Sequence, residues 1–263
     1  MAPLRVLLRV PLIALVTILA SSAILLSALV KSIFSAQQLR WRNAAFRWWG
    51  RSLCRVLGMR IEVIGKPPTG KFFLVANHVS YVDIILLASQ VSCSFIGKAD
   101  LRGWPLLGWA FRNADTIFID RGRKRDLLRV LQQVRTSLNR GLGVLAFPEG
   151  TSSRGESILP LKPSLLEFAI EAEQPVHFVT LGYRTTPGLT GPPADEAVCW
   201  WDDTHFLVHF LRLLRLPSFE ATLNFGSEPV AAEDRKRLAE ELRTAMLATF
   251  TPIALPLEKE QGP

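Results

Sequence analysis

The chain alternates short apolar runs with stretches in which apolar residues recur every three or four positions. Runs at 60–64, 72–76, 94–97, 116–119, 143–147, 176–181 and 221–225 have the length of strands. Helical spacing fills 82–90, 105–112, 124–140, 163–173, 204–214 and 232–250. Strands interleaved with helices predict an α/β domain over 59–250, with a mixed, mostly parallel sheet flanked by helices. Pro187, Gly188, Gly191, Pro192 and Pro193 mark 185–196 as a surface loop. The tail, 251–263, reads as frayed.

The first 58 residues follow a different pattern. Residues 10–30 form a charge-free stretch of 21, close to the roughly 20 that cross a bilayer as a helix. This predicts an N-terminal membrane helix within an anchor at 1–34, transmembrane or re-entrant. Pro11 falls in the first turn of that stretch, where proline is tolerated. A cleaved signal peptide is the other reading: Ala20-Ser21-Ser22-Ala23 mimics a cleavage site, but such peptides have apolar cores of only about 7–15 residues. Residues 35–58 predict an amphipathic helix with Leu39, Phe46, Trp49, Leu53 and Val56 on one face. Arginines fill much of the remainder, and Trp41, Trp48 and Trp49 cluster among them, as in helices that lie in the headgroup layer. An ordinary helix packed on the domain fits the same pattern, and one face can serve each purpose.

Composition and charge narrow the class. Apolar residues make up 49% of the 263 and charged residues 21%, which excludes a disordered chain. The net charge of +8 is not spread evenly: nine Lys and Arg, and no acid, precede Glu62. The rest of the chain is close to neutral, which argues against a nucleic-acid partner and for a basic segment beside anionic lipid. Two arginines precede the apolar segment, and Lys31 and six arginines follow it by residue 60. By that asymmetry the large C-terminal part faces the cytoplasm, on the cytoplasmic membrane. Cys54, Cys93 and Cys199 are far apart with no C-x-x-C pair, so a disulfide scaffold and a cysteine zinc site are both disfavoured.

Two polar clusters sit just beyond predicted strands. One is Asn77-His78-Val79-Ser80-Tyr81-Val82-Asp83, the other Pro148-Glu149-Gly150-Thr151-Ser152-Ser153-Arg154. Sites in open α/β sheets form outside the carboxyl ends of strands, so both clusters can share one crevice. If a helix starts after the first strand, the Asp83 carboxylate folds back on one ring nitrogen of His78 and leaves the other as a general base. That is the His–Asp half of a hydrolytic triad, with a substrate hydroxyl in place of the protein nucleophile. A capping or core histidine explains the same spacing. Ser80 lacks a G-x-S-x-G elbow and reads as a loop or helix-start residue. The Phe147-to-Thr151 turn can present backbone N–H groups to an anion, with Glu149 near a substrate hydroxyl or orienting basic groups; a plain strand-exit turn is the alternative.

Taken together, N-H-x-x-x-x-D followed about seventy residues later by F-P-E-G-T resembles the glycerolipid acyltransferase family, specifically the 1-acylglycerol-3-phosphate acyltransferases. The resemblance covers 71–184. It implies that His78 takes the proton of an acceptor hydroxyl, that Asp83 orients it, and that the hydroxyl attacks an acyl thioester without an acyl-enzyme. Ile117-Phe118-Ile119-Asp120-Arg121-Gly122 looks like the family's second block, which makes Arg121 a ligand of the acceptor phosphate. Lys98-Ala99-Asp100-Leu101 is similar to a K-x-E-L element, with Asp where Glu is usual. Glu149, Gly150 and Thr151 match the third block, and Pro175-Val176 stands where a fourth is expected, in altered form. The family usually reads E-G-T-R; here Ser152 and Ser153 displace the arginine to Arg154. The implied acceptor is a lysophospholipid, and the displaced arginine opens the alternative of a lyso-ornithine lipid. The implied donor is acyl-CoA or acyl carrier protein, with membrane lipids as partners and no cofactor or metal.

Two further features compete. His205 and His209 stand four apart and would share a helix face able to hold a metal, but no H-E-x-x-H glutamate accompanies them and the flanks are apolar. Trp104, Leu106, Leu107, Trp109 and Phe111 form an apolar stretch that lines an acyl groove, dips into the interface or packs in the core. A non-enzymatic lipid-docking protein with a basic arm is the remaining class, and it would need neither polar cluster.

Overall fold

The structure, a computed structural model, describes residues 2–29, 35–103, 108, 116–120, 126–185 and 191–254. Two long helices come first, α1 (Ala2–Leu29) and α2 (Ser35–Leu57). Seven strands follow: β1 (Met59–Ile64), β2 (Phe73–Ala76), β3 (Cys93–Lys98), β4 (Ile117–Ile119), β5 (Gly143–Ala146), β6 (Val176–Arg184) and β7 (Phe219–Phe225). Every one lies on a predicted run, and the largest difference is the longer end of β6. The helices between and after them are α3 (Val82–Gln90), α4 (Asp126–Asn139), α5 (Pro163–Glu171), α6 (Ala194–Ala197), α7 (Phe206–Arg215) and, after β7, α8 (Arg235–Thr249).

Four sequence expectations change or fall outside this description. Pro11 lies well inside α1, because the helix already begins at Ala2. The predicted loop 185–196 contains the start of α6, with Ala194 and Asp195 buried. Residues 186–190 and the tail from 255 are outside the described residues, as is the apolar stretch 104–112 apart from Gly108.

The strands form one sheet in the order β1-β7-β6-β2-β5-β3-β4. All neighbours are parallel except β6 and β7. The sheet is therefore mixed and mostly parallel, as its apolar strands require, since both faces are covered by helices. Alternate residues divide the core. Leu74, Ala76, Phe95 and Leu145 pack with α2, α3 and α7; Phe73, Val75, Val144 and Ala146 pack with α4, α5 and α8.

α1 and α2 pair side by side, and Trp49 Nε1 donates to Thr17 Oγ1 at 3.1 Å. The apolar face of α2 turns inward, with Phe46, Trp49 and Leu53 buried and Trp41 and Trp48 exposed. Gly50 allows α2 to approach α3 closely, since a Cβ there would meet Ser89 N at 2.6 Å. The first turns of α1 dock on the domain. Arg9 donates to the carbonyls of Leu214, Leu216 and Pro217, and Arg5 to that of Arg215. Two guanidiniums thus satisfy the orphan carbonyls at the C-terminal end of α7, where the helix dipole favours a cation.

Candidate active site

The site sits at the carboxyl ends of β2 and β5, neighbours near the centre of the sheet. Their register pairs Val75 with Ala146. Three residues beyond each, the chain reaches His78 and Glu149, so these two stand at the same level outside the sheet. Asn77 extends the β2–β6 pairing, because its amide oxygen accepts from Leu181 N at 2.7 Å and its Nδ2 donates to Leu181 O at 3.1 Å.

Beyond Asn77 the chain turns into α3, and Asp83 falls in the first turn of that helix. Asp83 Oδ2 lies 2.8 Å from His78 Nδ1 and also accepts from the backbone N–H of Val79 (2.8 Å) and Ser80 (3.0 Å). Oδ1 accepts from the Tyr183 hydroxyl at 2.8 Å. Burial first, and the Asp83 carboxylate second, push the Tyr183 phenol well above its ordinary value, so it remains an O–H donor. The Asp83 side chain is wholly buried, whereas that of His78 is 22% exposed. The His78 ring stacks on Phe147 with centroids 4.2 Å apart. With Nδ1 committed to Asp83, Nε2 is the nitrogen left for a reactant. Ser80 is buried and its hydroxyl accepts from Val82 N, which makes it a helix-start residue.

The second cluster is built differently. Gly150 closes a tight turn with φ at +75°, a conformation that favours glycine, and its N–H donates to Phe147 O. Glu149 is 2% exposed and turns inward. Its Oε1 accepts from His78 N at 2.8 Å and its Oε2 from Leu159 N at 3.1 Å. Burial, the largest cause, raises its carboxyl to about 7. Ser153 N donates to His78 O at 2.9 Å, which ties the two loops a second time. Arg154 turns away toward α6. Its Nε and Nη2 lie 2.9 and 2.7 Å from Asp195 Oδ2, its Nη1 3.2 Å from Glu156 Oε1, and its guanidinium 5.9 Å from the centre of the Trp201 ring.

A cavity of about 410 Å³ opens beside His78. Its walls are mainly apolar, with Trp49 from α2, Ile84 and Ile85 from α3, Phe95 from β3, and Phe147 and Trp200. Lys98, Asp100, Thr116, Gly150 and Thr151 supply polar groups. Of the residues singled out from the sequence, His78, Lys98, Gly150 and Thr151 therefore share the cavity. Asp83 and Glu149 stand behind it, Arg154 lies outside its lining, and Arg121 is outside the described residues.

Tyr183, Tyr81 and Trp200 carried no local signal in the sequence. They arrive from β6, from the turn before α3 and from the segment before α7. The His205/His209 pair resolves into two separate tasks. His205 caps α7 by accepting from Leu207 N. Buried His209 lies 3.1 Å from the Tyr81 hydroxyl and 2.9 Å from Cys199 O. No cluster of three or more metal-ligating residues occurs among the described residues.

An imidazole oriented by a carboxylate, with the nearby Ser80 engaged and an apolar cavity alongside, is an arrangement able to serve transfer to a substrate hydroxyl. The comparisons agree with that class. The sequence pattern of the acyltransferase family matches residues 60–184. A lyso-ornithine lipid O-acyltransferase of Pseudomonas aeruginosa is 35% identical over 223 residues, covering 84% of each chain. A 1-acyl-sn-glycerol-3-phosphate acyltransferase of Neisseria meningitidis is 33% identical over 228 residues, covering 81% of this chain and 85% of its own. The crystal structure of the LPA acyltransferase PlsC from Thermotoga maritima shares the fold, with a TM-score of 0.61 at 19% identity, covering 95% of this chain and 97% of that one. The chain belongs to the acyltransferase family, and it is an O-acyltransferase.

Proposed function

We propose that the protein transfers an acyl chain from a thioester, acyl-CoA or acyl carrier protein, to the free hydroxyl of a single-chain membrane lipid. The observation that carries this reading is the His78–Asp83 pair at the wall of an apolar cavity. His78 Nε2 takes the proton as the acceptor oxygen attacks the thioester carbonyl carbon. The tetrahedral adduct collapses, the C–S bond breaks, and the thiolate leaves with that proton as a free thiol. Asp83 positions the imidazole, and Tyr183 and Glu149 position Asp83 and the His78 backbone. No cofactor or metal enters these steps.

Membrane attachment runs through α1 and α2. Arg5 and Arg9 hold the start of α1 on the domain, and α2 returns to the same domain at Leu57, which supports a re-entrant hairpin. The basic flank supports a cytoplasmic placement of the domain on the cytoplasmic membrane.

Two acceptors fit the family. Lysophosphatidate, giving phosphatidate, calls for cations around a phosphate, the role assigned to Lys98, Arg121 and Arg154. The geometry favours the second, lyso-ornithine lipid. Arg154 is held by two carboxylates, while Lys98 and Asp100 offer the cavity one charge of each sign, which suits a zwitterionic headgroup. Thiol release from acyl-CoA or acyl carrier protein, measured with each lipid in mild detergent, tests this. Faster release with lyso-ornithine lipid is expected. Faster release with lysophosphatidate restores the phosphatidate reading. Lack of release with either acceptor and either donor would overturn both acceptor readings.

A further inference from the structure

The exposed apolar residues of this protein are unevenly placed. Among the described residues, all the exposed large hydrophobics except Val63, Ile64, Leu128 and Leu247 belong to α1, α2, α7 or Trp201 just before α7. The hairpin accounts for the first two. α7 is a separate case, since it belongs to the folded domain and is only 10 residues long.

Its buried face carries His209, Leu213 and Leu214. Its outer face carries Leu207, Val208 and Leu211, exposed by 57%, 55% and 38%, with Arg212 and Arg215 in the last turn. Leu207, Leu211 and Arg215 follow one another at four-residue steps, as do Val208 and Arg212, so the aliphatic and basic residues form one continuous strip. Aliphatic residues beside arginines on a solvent-facing helix are the signature of a helix lying in the headgroup layer.

Two observations identify what covers this strip. First, α7 is joined to the membrane helix: Arg5 and Arg9 of α1 donate to the carbonyls of 214–217 at its C-terminal end. The strip thus lies on a helix fastened directly to α1. Second, the inner face of α7 forms the wall behind the cavity. His209 meets the Tyr81 hydroxyl, and Phe206 packs edge-on against both Tyr81 and Trp200, which line the cavity.

We infer that the outer face of α7 is a second lipid-contact surface, which rests on an anionic bilayer beside the hairpin and holds the cavity against the leaflet that contains the acceptor. The inference builds on the membrane-lipid acceptor proposed above. Leu207, Val208 and Leu211 enter the boundary between headgroups and acyl chains, and Arg212 and Arg215 lie at the level of the lipid phosphates. An amphiphilic acceptor then reaches His78 without leaving the interface.

The test uses the full chain in vesicles of phosphatidylglycerol and phosphatidylethanolamine. A polarity-sensitive fluorophore is placed at Val208→Cys or, as control, at Leu128→Cys, which is 75% exposed on α4 across the sheet. Native Cys54, Cys93 and Cys199 are buried, so the introduced thiol is labelled selectively. Acyl chains brominated near the glycerol should reduce the emission at 208 by about twofold or more and leave 128 unchanged, while iodide does the reverse. Quenching at 208 by iodide alone would overturn the inference. Shielding from both quenchers would also overturn it, in favour of a second protein copy on this face. In a separate arm, Leu207→Ser/Val208→Ser/Leu211→Ser should raise KM for vesicle-borne acceptor about fivefold and keep turnover on detergent-dispersed acceptor within about twofold. An equal KM on vesicles would count against a role in acceptor delivery. A wild-type protein inactive on every acceptor would sink the reaction proposed above and leave the fluorescence result standing.

Discussion

The two loops that close the site leave neighbouring parallel strands at the same level, yet they are organised in opposite ways. In the loop after β2, most functional contacts lie within a few residues: Asp83 gathers the side chain of His78 and the N–H groups of Val79 and Ser80, and only its Oδ1 reaches farther, to Tyr183. In the loop after β5, each charged group has one partner far along the chain. Glu149 serves the backbone of His78 as well as that of nearby Leu159, and Arg154 serves Asp195 as well as neighbouring Glu156. The first loop presents its chemistry to the cavity; the second uses Glu149 to hold the first loop and Arg154 to hold α6, and it presents mainly Gly150, Thr151 and Ser152. A motif residue beside an active site is thus not always a residue that touches substrate.

The largest test of this contrast is His78→Ala. A lost general base lowers turnover by about 10³-fold. Because the ring is partly exposed at the cavity wall, the melting temperature should stay close to wild type by calorimetry. A residual rate near wild type would remove the base from this site.

Glu149→Gln comes next. It keeps the size of the side chain but turns an NH2 group toward one of two backbone donors. An unpaired buried donor costs about 1–3 kcal/mol, so kcat should fall by about 10-fold or more as the His78 backbone shifts. Burial raises the Glu149 carboxyl from 4.5 to about 7. Its contribution to stability is therefore full below pH 4.5 and is lost as the pH rises through 7. The melting temperature of wild type relative to Glu149→Gln should fall between pH 5 and pH 8; a constant difference would mean that Glu149 ionises normally.

Tyr183→Phe removes one donor from Asp83 Oδ1. A hydrogen bond to a charged group is worth about 1.5–3 kcal/mol. Because Tyr183 stands behind Asp83 and away from the cavity lining, kcat should fall about 10-fold with KM unchanged. A change in KM alone would place Tyr183 in substrate binding instead. The smallest effect is expected for Arg154→Gln, with turnover and acceptor KM within about threefold of wild type and a melting temperature lower by a few degrees. A tenfold rise in KM for lysophosphatidate but not for lyso-ornithine lipid would return Arg154 to the acceptor's phosphate.

Much of this was legible in the chain. All seven strands followed from their apolar runs, because a strand buried on both faces admits few polar residues. The His78–Asp83 contact followed from a spacing of five across a strand-to-helix turn, since both partners lie in one continuous segment. Gly150 was likewise marked by its place after a strand. The roles of Glu149 and Arg154 were not legible in the same way. The partners that set those roles, His78 and Asp195, lie 71 and 41 residues away, and nothing near Glu149 or Arg154 names them. Tyr183 was missed for the same reason, as it looks like an ordinary residue of its own strand.

The sequence by itself determined the elements, the apolar N-terminal segment and the pairing of His78 with Asp83, because these depend on periodicity and on contacts within a few residues. Only the tertiary structure decided which charges face the cavity, what covers the apolar face of α2 and that α7 is fastened to α1. Those outcomes depend on which segments the sheet order brings side by side. A buried carboxylate or guanidinium takes whatever donors and acceptors that arrangement places within hydrogen-bonding distance.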